Sequence, residues 1–472
     1  GPAPEWAVEY DLYRNQAVHD SYARNVQDFL DSYRVGVPTI VMLPGGMGSQ
    51  LDRSPTPYRG QDIPFSGYSP VWLSPGILFR GDGLTLEMDA ARHDIQDYVI
   101  VPDGPLRYLV KAYDGTERYF TDQNVNYIVF GYDWRRPLEE AAVNLQTFLT
   151  ALRRAVFQAH ADDVTPRLVL LCHSQGGLVA KMFLDIVHNA VSAWVSKVIT
   201  VATPFYGTAT HMPRYFVGEH LLNLLYGAGR VAKIIGSLPG PYTLLPIDRA
   251  TWRKRGAALG LGAETYPVVD EGGREIDPYD RAQTGAHGRY PAWVSGDYLD
   301  AAKAIRGAID QDLEPAAVAQ VFHLRATSTA TPYRFRWRPL PADFSPDTSP
   351  LPFDDLPNDV NAQGGDGTVP WFSARLAQVP DARVYRIPTT ALHQDLLENA
   401  RALDAIWTII TTGRIPDHDP QVPDGPYQGQ PTASDAEVDR FLSDAAAGRI
   451  AAADPAARDP RLWRGVVRRT LK

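Results

Sequence analysis

A serine flanked by small residues, Cys172-His173-Ser174-Gln175-Gly176, lies between an apolar run and a segment of helical spacing. A hydroxyl in that setting is a candidate nucleophile. On a sharp strand-to-helix turn it projects above the strand ends, and the residues two before and two after it must be small to avoid collision. Gly176 meets that need and Cys172 nearly does. The following helix would turn its positive end toward a developing oxyanion, with the Gln175 amide as first donor. Pro44-Gly45-Gly46-Met47-Gly48-Ser49 closes an earlier apolar run, and its backbone would bring a second donor, the Gly46 amide.

A hydroxyl is a weak nucleophile until a base takes its proton, and that base must be oriented by an acid. Where the serine sits on a strand–turn–helix elbow, the acid and then the histidine follow it in the chain. Gly364-Gly365-Asp366-Gly367-Thr368 offers a carboxylate in a turn, and Leu392-His393-Gln394 a histidine before the last long helical segment. The expected triad is Ser174, Asp366 and His393. Each residue also has a plainer role: Asp366 as a turn aspartate bonded to its own backbone, His393 as a helix-start residue, and the serine motif as a chance match. His173 is too near Ser174 in sequence to act as its base and reads as structural or pocket-shaping; His323 reads as a core or cap-facing histidine. The order of the motifs is what favours chemistry. No cofactor or metal is called for.

The elements that must position these groups follow from periodicity. Thr39–Leu43, Tyr127–Phe130, Arg167–Leu171 and Lys197–Ala202 are short apolar runs suited to strands covered on both faces. Between them, Glu139 to about His160 carries Leu145, Phe148, Leu149, Leu152 and Val156 at three- and four-residue steps. Strand and helix in alternation predict a mostly parallel, doubly wound sheet. Further strands are expected at Val321–Ala326 and Val384–Ile387, and a last helix over 394–411. Residues 5–33 read as a short helix at the edge.

The chain has 472 residues, 44% of them hydrophobic and 21% charged, with a net charge of −9 and a pI near 5.7. Nucleic acid is not an expected partner. The single cysteine, Cys172, excludes an intramolecular disulfide. No apolar run reaches the length of a membrane helix. A soluble protein is expected, cytoplasmic or secreted without disulfides. Gly1-Pro2 reads as a tag remnant, which leaves a leader ahead of it open.

With these motifs in hand, the chain resembles the lecithin:cholesterol acyltransferase family over about residues 37–411, as a bacterial-like member. Leu43–Leu51 is similar to the family's first-strand loop, and Val71-Trp72-Leu73 to a tryptophan segment after it. Gly131-Tyr132-Asp133-Trp134-Arg135, Cys172–Gly176, Ala202–Gly207 and Gly365–Pro370 follow in order, with His393 and Asn399 beyond them. The resemblance implies the triad named above, Gly46 and Gln175 amides as oxyanion donors, and acyl transfer from lipids to water or an alcohol. Met47, Trp72, His173, Phe205 and Tyr206 are the candidate substrate contacts. Unlike the animal enzymes, this chain has no cysteines to staple a lid, and the tail has no family counterpart.

The expected architecture is an α/β-hydrolase fold: a mostly parallel doubly wound sheet, an inserted cap or lid, and a C-terminal helical tail. Its expected parts are an extension over 1–36, core over 37–204 and 319–413, a cap over 205–318, and linker and tail over 414–472. The expected activity is that of a serine ester hydrolase of lipase or phospholipase type, with acyltransferase activity as a variant. The alternatives are an esterase, lactonase or amidase for a bulky small molecule or polymer, and an effector switched on by a protein partner through 414–472. Peripheral membrane contact is a further candidate interaction.

Overall fold

The structure, a computed structural model, describes residues 5–57, 69–72, 86–94, 98–105, 112–161, 167–186, 194–261, 265–285, 288–358, 363–428, 431–451 and 454–470. Its strands are β1 (Thr39–Leu43), β2 (Ser49–Pro57), β3 (Ser69–Trp72), β4 (Tyr98–Pro105), β5 (Asn126–Val129), β6 (Leu168–His173), β7 (Val195–Val201), β8 (Val268–Val269), β9 (Val321–Arg325), β10 (Phe335–Trp337), β11 (Phe353–Asp355) and β12 (Val384–Arg386). Six of them form the central sheet in the order β12-β9-β7-β6-β1-β5. Every pairing in it is parallel.

Side-chain alternation explains why β1 and β6 are continuously apolar. Ile40 and Met42 join Val169 and Leu171 on one face, against Phe120, Leu403 and Ile406. Val41 and Leu43 join Leu170 and Cys172 on the other, against Leu145, Phe148 and Leu178. Both faces are thus buried under helices, and a strand so covered has no polar side. Helix Leu138–Ala159 packs beside helix Gln175–Ile186 on one face, while helices Asp114–Asp122 and Ala400–Thr412 cover the other. This is an α/β-hydrolase fold, with a parallel sheet whose β6 runs straight into the helix after Ser174.

Two smaller sheets flank it: β3-β2-β4, antiparallel, and β11-β10-β8. The parallel pairing of β8 with β10 joins Val268 to Phe335, so residues on either side of position 318 share one sheet. Within the expected cap, the stretch from Phe216 to Ile235 falls in three short helices, Arg214–Val217, His220–Tyr226 and Ala228–Gly236.

The edge helix is more deeply placed than the sequence suggested. It spans Glu5–Leu30 and buries Ala17, Val18, Tyr22 and Val26. It also lays Arg14 beside Glu140 and Asp133, while Tyr10 donates to Asp94 at 2.6 Å. Arg135 bridges Asp94 and Asp133, each at 2.8 Å. A buried charge needs a partner, and this set supplies partners across three segments. The tail is helical, as expected. Helices Asp435–Ala446 and Pro460–Thr470 bury Val438, Phe441, Leu442 and Trp463 in the main core and pack on helix His220–Tyr226. Among the described residues no helix is long and apolar enough to cross a membrane.

Candidate active site

Ser174 occupies the turn between β6 and its helix with φ of 51°. Left-handed backbone at a non-glycine residue is strained, and here it lifts the hydroxyl off the strand end. A Cβ on Gly176 would stand 2.4 Å from Leu43 O and 2.6 Å from Pro44 O. The turn can approach β1 that closely only because position 176 has no side chain. Cys172, the other small position, is buried in the sheet, and burial pushes its thiol well above the usual range.

His393 Nε2 lies 2.8 Å from Ser174 Oγ, and His393 Nδ1 lies 2.7 Å from Asp366 Oδ2. Asp366 keeps its turn role as well: Oδ1 accepts from the Thr368 and Val369 amides at 2.9 and 2.7 Å. The two readings of this aspartate are compatible, because each carboxylate oxygen serves one of them. The His393 amide donates to Asp366 O at 3.0 Å, which ties the two loops by backbone.

Ser174 and His393 open on a cavity lined mainly by apolar side chains, including Leu222, Val231, Ile234 and Leu244. Gly46 and Gln175 line it beside the serine, as do Met47, Trp72 and His173. Trp72 Nε1 donates to Met47 O at 2.7 Å and so fixes the loop's far side. Leu73, the last residue of that motif, lies outside the described residues. Phe205 and Tyr206 are not on the cavity. Phe205 packs its ring on His323 at 5.0 Å, and the Tyr206 hydroxyl accepts from the Ala377 amide. The turn after β7 directs both side chains into the core, so they are removed from the candidate contacts. Of the two readings of His323, core or cap-facing, the structure gives the core one: it is buried and bonded to Thr200 Oγ1 at 2.7 Å.

The structure adds residues that the sequence reading lacked. Tyr113, Trp134, His211, Arg214, Leu222 and Tyr226 also line the cavity. Their sequence neighbourhoods carry no motif for the serine chemistry; only Trp134 sat in a recognisable run. Arg214 and His211 are pressed by burial toward their neutral forms, His211 also by Arg214. Among the described residues no group of three or more His, Cys, Asp or Glu side chains could hold a metal ion.

A model of the family described as lecithin:cholesterol acyltransferase matches residues 115–255, which include β5, β6, the elbow and β7. The chain is similar to the lecithin:cholesterol acyltransferase family. Among curated proteins, phospholipase A(1) LCAT3 of Arabidopsis thaliana is 22% identical over 307 residues, or 59% of this chain and 64% of that protein. The chain thus spans under two thirds of that relative. Among solved structures, the crystal structure of a Tle4–Tli4 complex aligns at 14% identity over 80% of this chain and 99% of its own, with a TM-score of 0.48. Bacillus licheniformis lipase BlEst2 in mature form aligns at 13% identity over 81% and 94%, with a TM-score of 0.35. The fold assignment rests on the sheet order and the elbow. The likeness to the acyltransferase family rests on the matched segment and on LCAT3.

Proposed function

We propose that the chain is a serine ester hydrolase of lipase or phospholipase type, able to pass the acyl group to an alcohol as well as to water. The observation that carries this is the spacing of Ser174, His393 and Asp366 at 2.8 and 2.7 Å at one end of an apolar cavity. In this reading the substrate's acyl chain lies along Leu222, Val231 and Ile234. Ser174 Oγ attacks the ester carbonyl as His393 Nε2 takes its proton. Asp366 holds the imidazole and stabilises its charge. The Gly46 and Gln175 amides receive the oxyanion. Collapse of the intermediate expels the alcohol, which takes the proton from His393. Water or a second alcohol then repeats the sequence on the acyl-enzyme.

The division into core, 37–204 and 319–413, and cap, 205–318, belongs to the same proposal. The cap supplies Arg214, Leu222 and Tyr226 to the cavity and so would set acyl and head-group choice, while the triad sets only the bond. The test is fatty-acid release from phospholipid vesicles and from soluble short-chain esters, each with and without an added long-chain alcohol. Release from vesicles, with fatty ester formed when the alcohol is present, is the expected result. Activity confined to soluble esters would replace the lipid reading with the bulky-small-molecule one.

A further inference from the structure

The residue before the nucleophile takes part in a chain of hydrogen bonds that the acylation scheme does not use. The Gly45 amide donates to Tyr113 Oη at 2.9 Å. Tyr113 Oη lies 3.0 Å from His173 Nδ1. His173 Nε2 lies 2.9 Å from the backbone carbonyl of His393. A carbonyl only accepts, so Nε2 carries hydrogen. A neutral imidazole has one N–H, so Nδ1 is the acceptor and takes the Tyr113 hydroxyl hydrogen. Burial, and then the neighbouring His393, push His173 down to about 3, in keeping with a neutral ring. Every donor in the chain therefore points the same way, from the Gly45–Gly46 loop to the histidine loop.

Both ends adjoin the reacting groups. Gly45 precedes the Gly46 amide, and a Cβ placed on Gly45 would sit 3.1 Å from Ser174 Cβ. The other end is the backbone of His393 itself. Tyr113 is held by the same segment: Gly115 and Thr116, two and three residues on, donate to Glu398 Oε1 and Leu397 O at 3.0 and 2.7 Å. Its own φ of 64° is a left-handed conformation that a tyrosine adopts only when its surroundings impose it. The circuit is closed through Gly45, Tyr113, His173, His393 and the 393–398 turn.

We propose that Tyr113 and His173 are positioning residues that hold the Gly45–Gly46 loop and the His393 backbone in one fixed relation across Ser174, so that efficient acylation needs the pair intact. The inference rests on Ser174 being the nucleophile. It also assigns the Gly45 amide to Tyr113, which leaves the Gly46 amide as this loop's donor toward the substrate.

The experiment measures kcat and KM on a soluble ester for Tyr113→Phe, His173→Gln, His173→Phe and the double variant Tyr113→Phe/His173→Phe. Enzyme concentrations come from titration with a fluorophosphonate, and thermal midpoints are recorded in parallel. Tyr113→Phe is expected to lower kcat about tenfold with KM changed less than about twofold, the pattern of an interaction that matters in the transition state. His173→Gln keeps an N–H for the His393 carbonyl and should retain more kcat than His173→Phe. The double variant should fall no further than His173→Phe, because one break opens the chain. Wild-type kcat in titrated Tyr113→Phe, or deficits that multiply in the double variant, would overturn the proposal. If His173→Phe does not fold, Tyr113→Phe, which removes one oxygen, decides alone. An adduct on wild-type Ser174 together with full-rate Tyr113→Phe sinks the positioning role and leaves the triad standing. No adduct on wild-type Ser174 sinks both.

Discussion

Asp366 shows how one side chain can satisfy a local and a distant demand together. Its Oδ1 closes its own turn and its Oδ2 receives His393. Asp366→Asn keeps much of the turn but gives His393 the wrong partner, so kcat should fall on the order of 10³- to 10⁴-fold with little change in thermal midpoint. An equal fall in both would mean that the aspartate only supports the fold. Gly176→Ala should act the other way, on folding, because its Cβ would meet Leu43 O at 2.4 Å. Its measure is the yield and midpoint of soluble protein. The meeting of Ser174, Asp366 and His393 was legible because the proposed serine chemistry constrains residue type and order. Tyr113 was not. A tyrosine beside a helix start carries no sign of which distant histidine its hydroxyl will meet. Phe205 and Tyr206 were misplaced for a related reason: a motif gives neighbours in sequence but not the side of the turn they face.

Among the elements, the strands of the central sheet were the easiest to read, since burial on both faces leaves an unbroken apolar run. The helix Glu5–Leu30 was harder. Its contacts are split between apolar residues and the buried pairs around Arg14, and a mixed face looks like an exposed one. Burial raises the Asp133 carboxyl, but Arg135 and Arg14 outweigh it and pull it down to about 2. Its folded value lies below its unfolded one, so this contribution is present above about pH 4 and is lost as pH falls toward 2. Asp133→Asn leaves Arg135 and Arg14 buried with less countercharge and should cost about 3–5 kcal/mol in denaturant unfolding at neutral pH. A cost under about 1 kcal/mol would mean that solvent reaches the cluster. The strands β8, β10 and β11, of two or three residues each, escaped because pairs that brief leave no period to detect, while the longer β2 and β4 carry prolines and charged residues that interrupt one.

Across the whole molecule, several buried histidines share a direction. Burial drives His173 and His323 down to about 3 and His211 well below the ordinary value, with His393, Arg375 and Arg214 adding to it respectively. Below about pH 6.5 the unfolded chain takes up protons that the folded chain refuses. Stability should therefore be full above that pH and decline as pH falls from it toward 3, by up to about 1.4 kcal/mol per unit for each histidine. Denaturant midpoints at pH 7.5, 6 and 5 check the sign; a flat response would mean that these rings reach solvent. The tail belongs to this view too. Expected as a helical tail, it packs on helix His220–Tyr226, which brings Leu222 and Tyr226 to the cavity. Removing 431–472 should lower the thermal midpoint and change KM for long-chain esters more than kcat. An unaltered KM would separate the tail from substrate entry.

The decisive measurement is the mass of the intact protein after reaction with a fluorophosphonate, followed by peptide mapping of wild type and Ser174→Ala. The account predicts one adduct per wild-type chain, on Ser174, with none on Ser174→Ala and ester turnover abolished in that variant. An adduct on another residue, or turnover surviving in Ser174→Ala, would contradict it.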